Sequence, residues 1–357
     1  MNRYSRQTAY IFTVEIFNMK KKLFSVALVV IIFSAFAYWA QKSMPRSASA
    51  DFFAMDTYMS VTAHGKGSEK AVQEVKQAIE ALDESLSVTK KDSVVYRLNE
   101  IKSADLTPDT DLLIEKSLKI KKQTAGAFDI CIYPIMKEWG FTDKNYKVPD
   151  PETLSRLCDE LKNTDINIDR ENMKISLSEN AAIDFGGIAK GYASEKARDI
   201  ICQNGINSAI VNLGGNVYAL GHKSDGNNWK VAIKSPFDSE KKLGIVSVHD
   251  KAVITSGGYE RYFEKDSVRY HHIIDPFTGY PADNGIVSVT IISGDPTLAD
   301  ALSTALYVMG KEKATDFWIK NSGLFDFVIC DETQNLYVTE GVADVFTSEL
   351  RYEIIKK

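Results

Sequence analysis

The sequence predicts an α+β fold: one large domain with a mixed, largely antiparallel sheet and flanking helices, placed after an N-terminal membrane segment. Three observations carry this. Helical patterns dominate up to about residue 205, short apolar strand patterns crowd the stretch from about 208 to 293, and regular βαβ alternation is scarce. A chain of 357 residues can make one large domain or two small ones. No internal repeat, low-complexity stretch or linker interrupts it after residue 51, so residues 51–357 read as a single domain.

In chain order, Phe52 to Ala63 is aromatic and branched and predicts a strand. Ser68 caps a helix with Val72, Val75, Ile79, Leu82 and Leu86 at 3–4 spacing. Thr107-Pro108 opens a second helix, with Gly126 just past its end. Asp150-Pro151 opens a third, and 166–168 with 173–175 alternate as a hairpin. Ala181, Ala182 and Ile183 predict a strand that runs through a tight turn into a helix reaching about Asn204 and stopped by Gly205. Strands follow at about 208–213, 216–220, 229–234, 244–248, 252–255, 268–274 and 286–293. Asp295-Pro296 starts a helix ended by Gly310; a helix at about 311–321 and strands near 325–330 and 335–339 close the chain.

Composition is that of an ordinary globular protein, with 44% apolar and 25% charged residues. A net charge of −5 and no long basic run beyond the N-terminus argue against a nucleic-acid surface. Cys131, Cys158, Cys202 and Cys330 lack C-x-x-C spacing, which argues against structural zinc and a disulfide framework and predicts four small buried apolar residues.

Leu23 to Ala40 is an 18-residue run without a charge, preceded by the basic segment 1–22, in which Lys20, Lys21 and Lys22 abut the run. Positive charge before the run predicts an N-in, C-out orientation, with residues 51–357 on the extracytoplasmic, periplasmic side, after a linker over 41–50. The run is either an inner-membrane anchor or the core of a signal peptide, for which Ala48-Ser49-Ala50 resembles a cleavage site. No cysteine lies near it to take a lipid.

Several stretches have residue types suited to chemistry. Asp184-Phe185-Gly186-Gly187-Ile188-Ala189-Lys190-Gly191 places an acid, two adjacent glycines and a lysine at a helix N-terminus, where unpaired amides and the helix dipole favour an anion. It is neither a P-loop nor a G-x-G-x-x-G turn. Asp300 and Thr304, one helical turn apart, are hard oxygen ligands on one face, suited to Mg²⁺, with Ser303 beside them. Spacing alone favours a plainer account, with Thr304 bonded back to its own helix and Asp300 solvated. His271, His272 and Asp275 end a strand at a Pro/Gly turn and form either an acid–base pair or a capped turn with a satisfied histidine. Asn212 to Asn216 and Thr255 to Gly258 are further glycine-hinged strand ends.

Taken in order, nine stretches resemble the FAD:protein FMN transferases, the ApbE-type flavin transferases. They are Met55-Asp56-Thr57, Leu86-Ser87 with Asp92-Ser93, Gly126-Ala127-Phe128-Asp129, Trp139-Gly140-Phe141 and Asp184 to Gly191. Asn212 to Asn216, Thr255-Ser256-Gly257, His272 to Gly279 and Ala299 to Thr304 complete the set, over about residues 51–345. The resemblance implies Mg²⁺-dependent transfer of FMN from FAD to a threonine or serine hydroxyl of an acceptor flavoprotein, typically a subunit of a membrane redox complex, with AMP leaving. It implies FAD contacts at Met55, Ala127, Phe128, Asp129, Asp184, Lys190 and Ile274. It implies metal ligation by Gly187 through its carbonyl, Asp300 and Thr304, with Ser303 where relatives can place another acid. Relatives often have an aromatic residue at the position of Thr89. His272 is the candidate for proton transfer from the attacking hydroxyl, and Asp300 joins it as catalytic through the metal. Two rivals remain open from sequence: an FAD pyrophosphatase that uses water and releases FMN and AMP, and a flavin-binding protein without turnover.

Overall fold

The computed structural model describes Met19, residues 21–25, 27–35 and 47–357. It divides into two compact units, Met1–Arg46 and Ser47–Lys357. In the first, residues 21–25 and 27–35 are helical. The expected span Leu23–Ala40 lies partly outside the described residues, and among those described no helix is long and apolar enough to cross a membrane.

The second unit opens with β1 (Ser47–Ala54) and β2 (Thr57–His64), paired antiparallel with Ala54 opposite Thr57. The single strand expected over 52–63 is thus a hairpin. Met55 and Asp56 take φ of 48° and 58° in a two-residue turn of the mirror-image kind that matches strand twist. Ser47–Ala50, expected as linker, belong to β1 because Val61–His64 satisfy their backbone groups. A cut after Ala50 would remove the first four residues of this edge strand.

α1 (Ser68–Leu86) buries Val72, Val75, Ile79 and Leu82, as its spacing predicts. α2 (Val94–Ile101) was not expected; Ser93 caps it by accepting from the amides of Val95 and Tyr96. β3 (Ser103–Asp105), α3 (Pro108–Gln123), a 3₁₀ turn (Ile130–Ile132), α4 (Tyr133–Glu138) and α5 (Pro151–Lys162) follow, then β4 (Ile166–Asp169) and β5 (Lys174–Leu177), which sheet with β3.

The strand expected at 181–183 is absent. Ile183 finds no strand neighbour; the Asn99 carboxamide takes that place, donating to the Ile183 carbonyl (2.8 Å) and accepting from its amide (2.7 Å). The segment therefore enters α6 (Ala189–Gln203) as an irregular turn.

β6 (Ala209–Leu213) and β7 (Asn216–Leu220) form a tight hairpin, followed by β8 (Trp229–Lys234), β9 (Lys242–Val248) and β10 (Lys251–Gly257). Where one strand was expected over 268–274, a small hairpin stands: β11 (Tyr262–Lys265) and β12 (Val268–His271), turning at Asp266 and Ser267 with positive φ. β13 (Ile286–Ser293), α7 (Pro296–Lys320), β14 (Phe325–Asp331), β15 (Leu336–Thr339), α8 (Glu340–Ala343), β16 (Phe346–Thr347) and β17 (Tyr352–Ile355) complete the chain. α7 breaks at Gly310, whose φ of 79° and ψ of 165° are non-helical, so the two expected helices meet there at a kink.

Nine strands make the main sheet in the order β1-β2-β6-β7-β10-β13-β14-β15-β17, antiparallel except for the last pair. Both faces are covered, which explains the near-continuous apolar run of β14. Phe325, Phe327 and Ile329 point to the helical side, with α1, α6 and α7, whereas Val328 and Cys330 point to the three-stranded sheet of β8, β9 and β16. Cys131, Cys158 and Cys330 are buried as expected, but Cys202 is exposed near the end of α6, on its solvent side.

Asn99 is 8% exposed and holds both main-chain polar groups of Ile183. Asn99→Leu should destabilise the protein by about 2–6 kcal/mol, because it leaves two buried groups unpaired at about 1–3 kcal/mol each. Urea unfolding should show the midpoint shift at unchanged slope.

Candidate active site

The residues that could do chemistry meet where α6, α7, the β6–β7 turn, the end of β10 and the mouth of the β11–β12 hairpin come together. Two adjoining cavities form there. One, of about 180 Å³, is lined by Phe128, Asp129, Gly187, Ser256, Asp300 and Thr304, among others. The second, of about 200 Å³, is lined by Met55, Ser87, Thr89 and Thr142, among others. Asp184, Gly186, Lys190 and Arg261 line both.

Asp300 anchors the floor. It is 4% exposed, on the first turns of α7. Its Oδ2 accepts from the Gly191 amide (2.8 Å) and its Oδ1 from the Asn216 side chain (2.9 Å). The Gly191 bond satisfies an amide in the first turn of α6, which has Ile188 at its cap and no side-chain cap of its own. This approach needs glycine at 191: a Cβ there would lie 2.3 Å from the Pro296 carbonyl oxygen and 2.6 Å from the Asp300 Cβ. Asp300 is therefore not solvated. Thr304 leans toward the Ser256 hydroxyl (3.3 Å) and stands close to Gly187. Ser303 is turned away from the cavity: its hydroxyl donates to the Asp300 carbonyl (2.7 Å) and it also meets Ser256 (2.7 Å). Ser303 is fully buried and does not line either cavity.

A divalent cation fits this floor. Asp300 is a buried carboxylate with two neutral N–H donors and no ion pair within 4.0 Å among the described residues. Thr304 adds a hydroxyl, and Gly187 lines the same cavity close to it. Among the described residues no three His, Cys, Asp or Glu side chains cluster as a metal site, so oxygens of water or of a bound ligand would complete the shell.

The other expected contacts are also brought together. Ala127, Phe128, Asp129, Asp184, Lys190 and Ile274 line the first cavity, and Met55 lines the second from its left-handed turn position. Asp129 caps the 3₁₀ turn through the Cys131 amide (2.9 Å) and pairs with Lys121 (2.6 Å). Asp184 accepts from the Gly186 amide (2.8 Å); burial raises its carboxyl, opposed by that amide and by the charges of Arg261 and Lys190. Burial also raises Glu260, with Lys190 and Lys234 opposing.

The two histidines separate cleanly. His271 uses both ring nitrogens within the fold, Nε2 toward the Ala282 carbonyl (3.1 Å) and Nδ1 accepting from the Ile273 amide (3.2 Å). His272 sits across the hairpin mouth from Arg261, whose carbonyl accepts from its Nδ1 at 3.0 Å. A carbonyl only accepts, so Nδ1 carries the proton and Nε2 keeps its lone pair. Burial, reinforced by the Arg261 guanidinium, pushes this imidazole down to about 3. Asp275 is no partner for it; its carboxylate accepts from the Phe277 amide (2.8 Å) and shapes the Pro/Gly turn.

Sequence reasoning passed over Glu260, Arg261 and the amide role of Asn216. The signal for Arg261 was the unrecognised hairpin: Tyr262 pairs with His271, which puts Arg261 opposite His272.

Because folding holds His272 neutral, the unfolded chain binds a proton below about 6.5 that the folded chain refuses until about 3. Its contribution to stability is complete above 6.5 and fades as pH falls toward 3. Across that window the unfolding free energy of the wild type should fall more steeply than that of His272→Gln, as followed by urea titrations at successive pH values.

Residues 55–328 match the model of the family described as the ApbE family. The chain is 35% identical over 262 residues to the FAD:protein FMN transferase of Treponema pallidum (strain Nichols), covering 68% of this chain and 72% of that protein. It is 32% identical over 250 residues to the FAD:protein FMN transferase of Klebsiella pneumoniae (strain 342), covering 69% and 77%. Among solved structures it is similar to the ApbE protein from Thermotoga maritima, with a TM-score of 0.78 at 32% identity over 84% of this chain and 99% of that one. The apo form of Pseudomonas stutzeri flavinyl transferase ApbE gives a TM-score of 0.74 at 28% identity over 86% and 98%.

Proposed function

This chain belongs to the ApbE family, and on that premise we infer that it is an enzyme that transfers FMN from FAD to a target protein. The single observation that supports this most is the convergence of Asp300, Thr304 and Gly187 on a cavity that Lys190 and His272 also line. Phosphoryl transfer needs positioning and charge neutralisation above all, and that is the chemistry of this donor set.

In the finer reading, Asp300, Thr304 and the Gly187 carbonyl would hold Mg²⁺, which would supply charge neutralisation for the diphosphate. A threonine or serine hydroxyl of the acceptor attacks the phosphorus on the FMN side. His272, with Nε2 unprotonated, takes the hydroxyl proton as the new P–O bond forms. The bond to the bridging oxygen breaks, and AMP leaves with that oxygen. Bound phosphates would raise the basicity of His272 above its value in the empty site, since a nearby anion favours imidazolium. Lys190 pairs with a phosphate or a flavin edge. The Ser303 hydroxyl ties the Asp300 carbonyl to Ser256 and so steadies the first turns of α7 against the end of β10.

Enzyme, FAD, Mg²⁺ and a co-expressed candidate acceptor should give in-gel flavin fluorescence on the acceptor, with AMP released. AMP without fluorescent acceptor would mean hydrolysis, and no AMP with any divalent metal would leave a flavin-binding protein. Asp300→Ala should abolish metal-dependent activity while the fold survives; full activity would remove the metal assignment. His272→Ala should slow transfer by about 10²–10⁴-fold with little change in FAD binding.

The domain is further proposed to work on the extracytoplasmic side, held by residues 23–40, on an acceptor in a membrane redox complex. The support is the lysine run Lys20–Lys22 before 18 uncharged residues. Fractionation of spheroplasts, with protease added from outside, should find the domain in the membrane fraction and digestible; a soluble, protected domain would overturn this.

A further inference from the structure

We infer that Arg261 is a substrate-binding residue that grips the diphosphate of FAD at the seam between the two cavities and keeps it in register with His272. The inference rests on the flavin-transfer reading of the site and deepens it.

Either cavity, at about 180 or 200 Å³, is smaller than the roughly 300–1,000 Å³ typical of a site for a drug-sized ligand. A dinucleotide must therefore occupy both, and its middle must cross the wall they share. That middle is the diphosphate. Of the four residues on the shared wall, Gly186 has no side chain, and Asp184 is an acid that repels phosphate unless protonated or bridged. Lys190 and Arg261 remain as the cations.

Arg261 is built for the task. Its guanidinium donates to the Phe141 carbonyl, which fixes the head group, yet it forms no ion pair within 4.0 Å among the described residues. Of its five N–H donors, several stay available, and the planar fork matches two phosphate oxygens at once. Its support is rigid. Phe141, Trp139, Phe263 and Tyr270 pack against one another with ring centroids 5.2–6.5 Å apart, and the Trp139 indole donates to the Gly279 carbonyl at 2.7 Å. The Arg261 carbonyl accepts from both the amide (3.0 Å) and the Nδ1 (3.0 Å) of His272. One residue thus holds the group to be cleaved with its side chain and aims the base with its carbonyl. A lysine could supply the charge but not the fork.

The test separates a diphosphate grip from a structural clamp on Phe141. Affinities for FAD and for riboflavin, which has no phosphate, are measured by flavin fluorescence with divalent metal chelated, so that nothing turns over. Arg261→Ala should weaken FAD by about 10–100-fold, the size of a lost charge-assisted hydrogen bond, and riboflavin by less than about threefold. Arg261→Gln keeps an N–H donor for Phe141 without the charge and should behave like Arg261→Ala, while Arg261→Lys should fall between and methylguanidine should partly restore FAD binding to Arg261→Ala. Equal weakening of both ligands, or unchanged FAD affinity in Arg261→Gln, would overturn the inference. Wild-type flavinylation and AMP release are assayed alongside: if both are absent, the flavin-transfer reading fails, while the FAD-to-riboflavin ratio still decides the role of Arg261.

Discussion

A buried carboxylate without a cationic partner is the constraint around which this site is arranged. Asp300 is almost fully enclosed, and its two hydrogen bonds reach α6 through the Gly191 amide and β7 through Asn216. Those contacts join three elements far apart in sequence. They also leave a negative charge incompletely compensated, since neutral donors offset only part of the desolvation of an ion. A cation at this floor would relieve that cost, so the same residue serves packing and chemistry. The close approach that makes it possible depends on Gly191, where a side chain would collide with α7.

The opposite wall depends on a different device. The β11–β12 hairpin has only two short strands, and a two-stranded ribbon alone is marginal in water. Phe263 and Tyr270 on it pack with Trp139 and Phe141, and this aromatic group fixes the hairpin's open end. Arg261 and His272 stand there as neighbouring cross-strand partners. The Trp139-Gly140-Phe141 stretch thus acts on the site without lining either cavity. Sequence pattern alone marks it as a landmark and offers no reason; the reason is mechanical support.

Much of the fold was legible because its elements repeat at their own period. α1, with its apolar residues at 3–4 spacing, and α3 and α5, each with proline in its first turn, follow directly from local pattern. The misreadings share one cause, which is that backbone satisfaction came from somewhere a linear pattern does not record. Met55 and Asp56 turn in the left-handed region without a glycine, so one expected strand became two. Ile183 bonds to the Asn99 side chain instead of to a strand. β11 was hidden by its exposed Glu264 and Lys265.

For the site, the sequence by itself determined which residue types were present and where glycine permitted tight turns: Asp300 and Thr304 one turn apart, Gly186-Gly187 before α6, His272 at a strand end. Those are local facts, set by spacing within one element. Only the tertiary structure decided which atoms are free. It gave His271 to the fold and left His272 Nε2 open, turned Ser303 inward, took Asp275 for a turn, and set Arg261 between two cavities. Some of these bonds are local, but Ser303 to Ser256 and Arg261 to Phe141 join segments 47 and 120 residues apart, and a spacing rule cannot contain those.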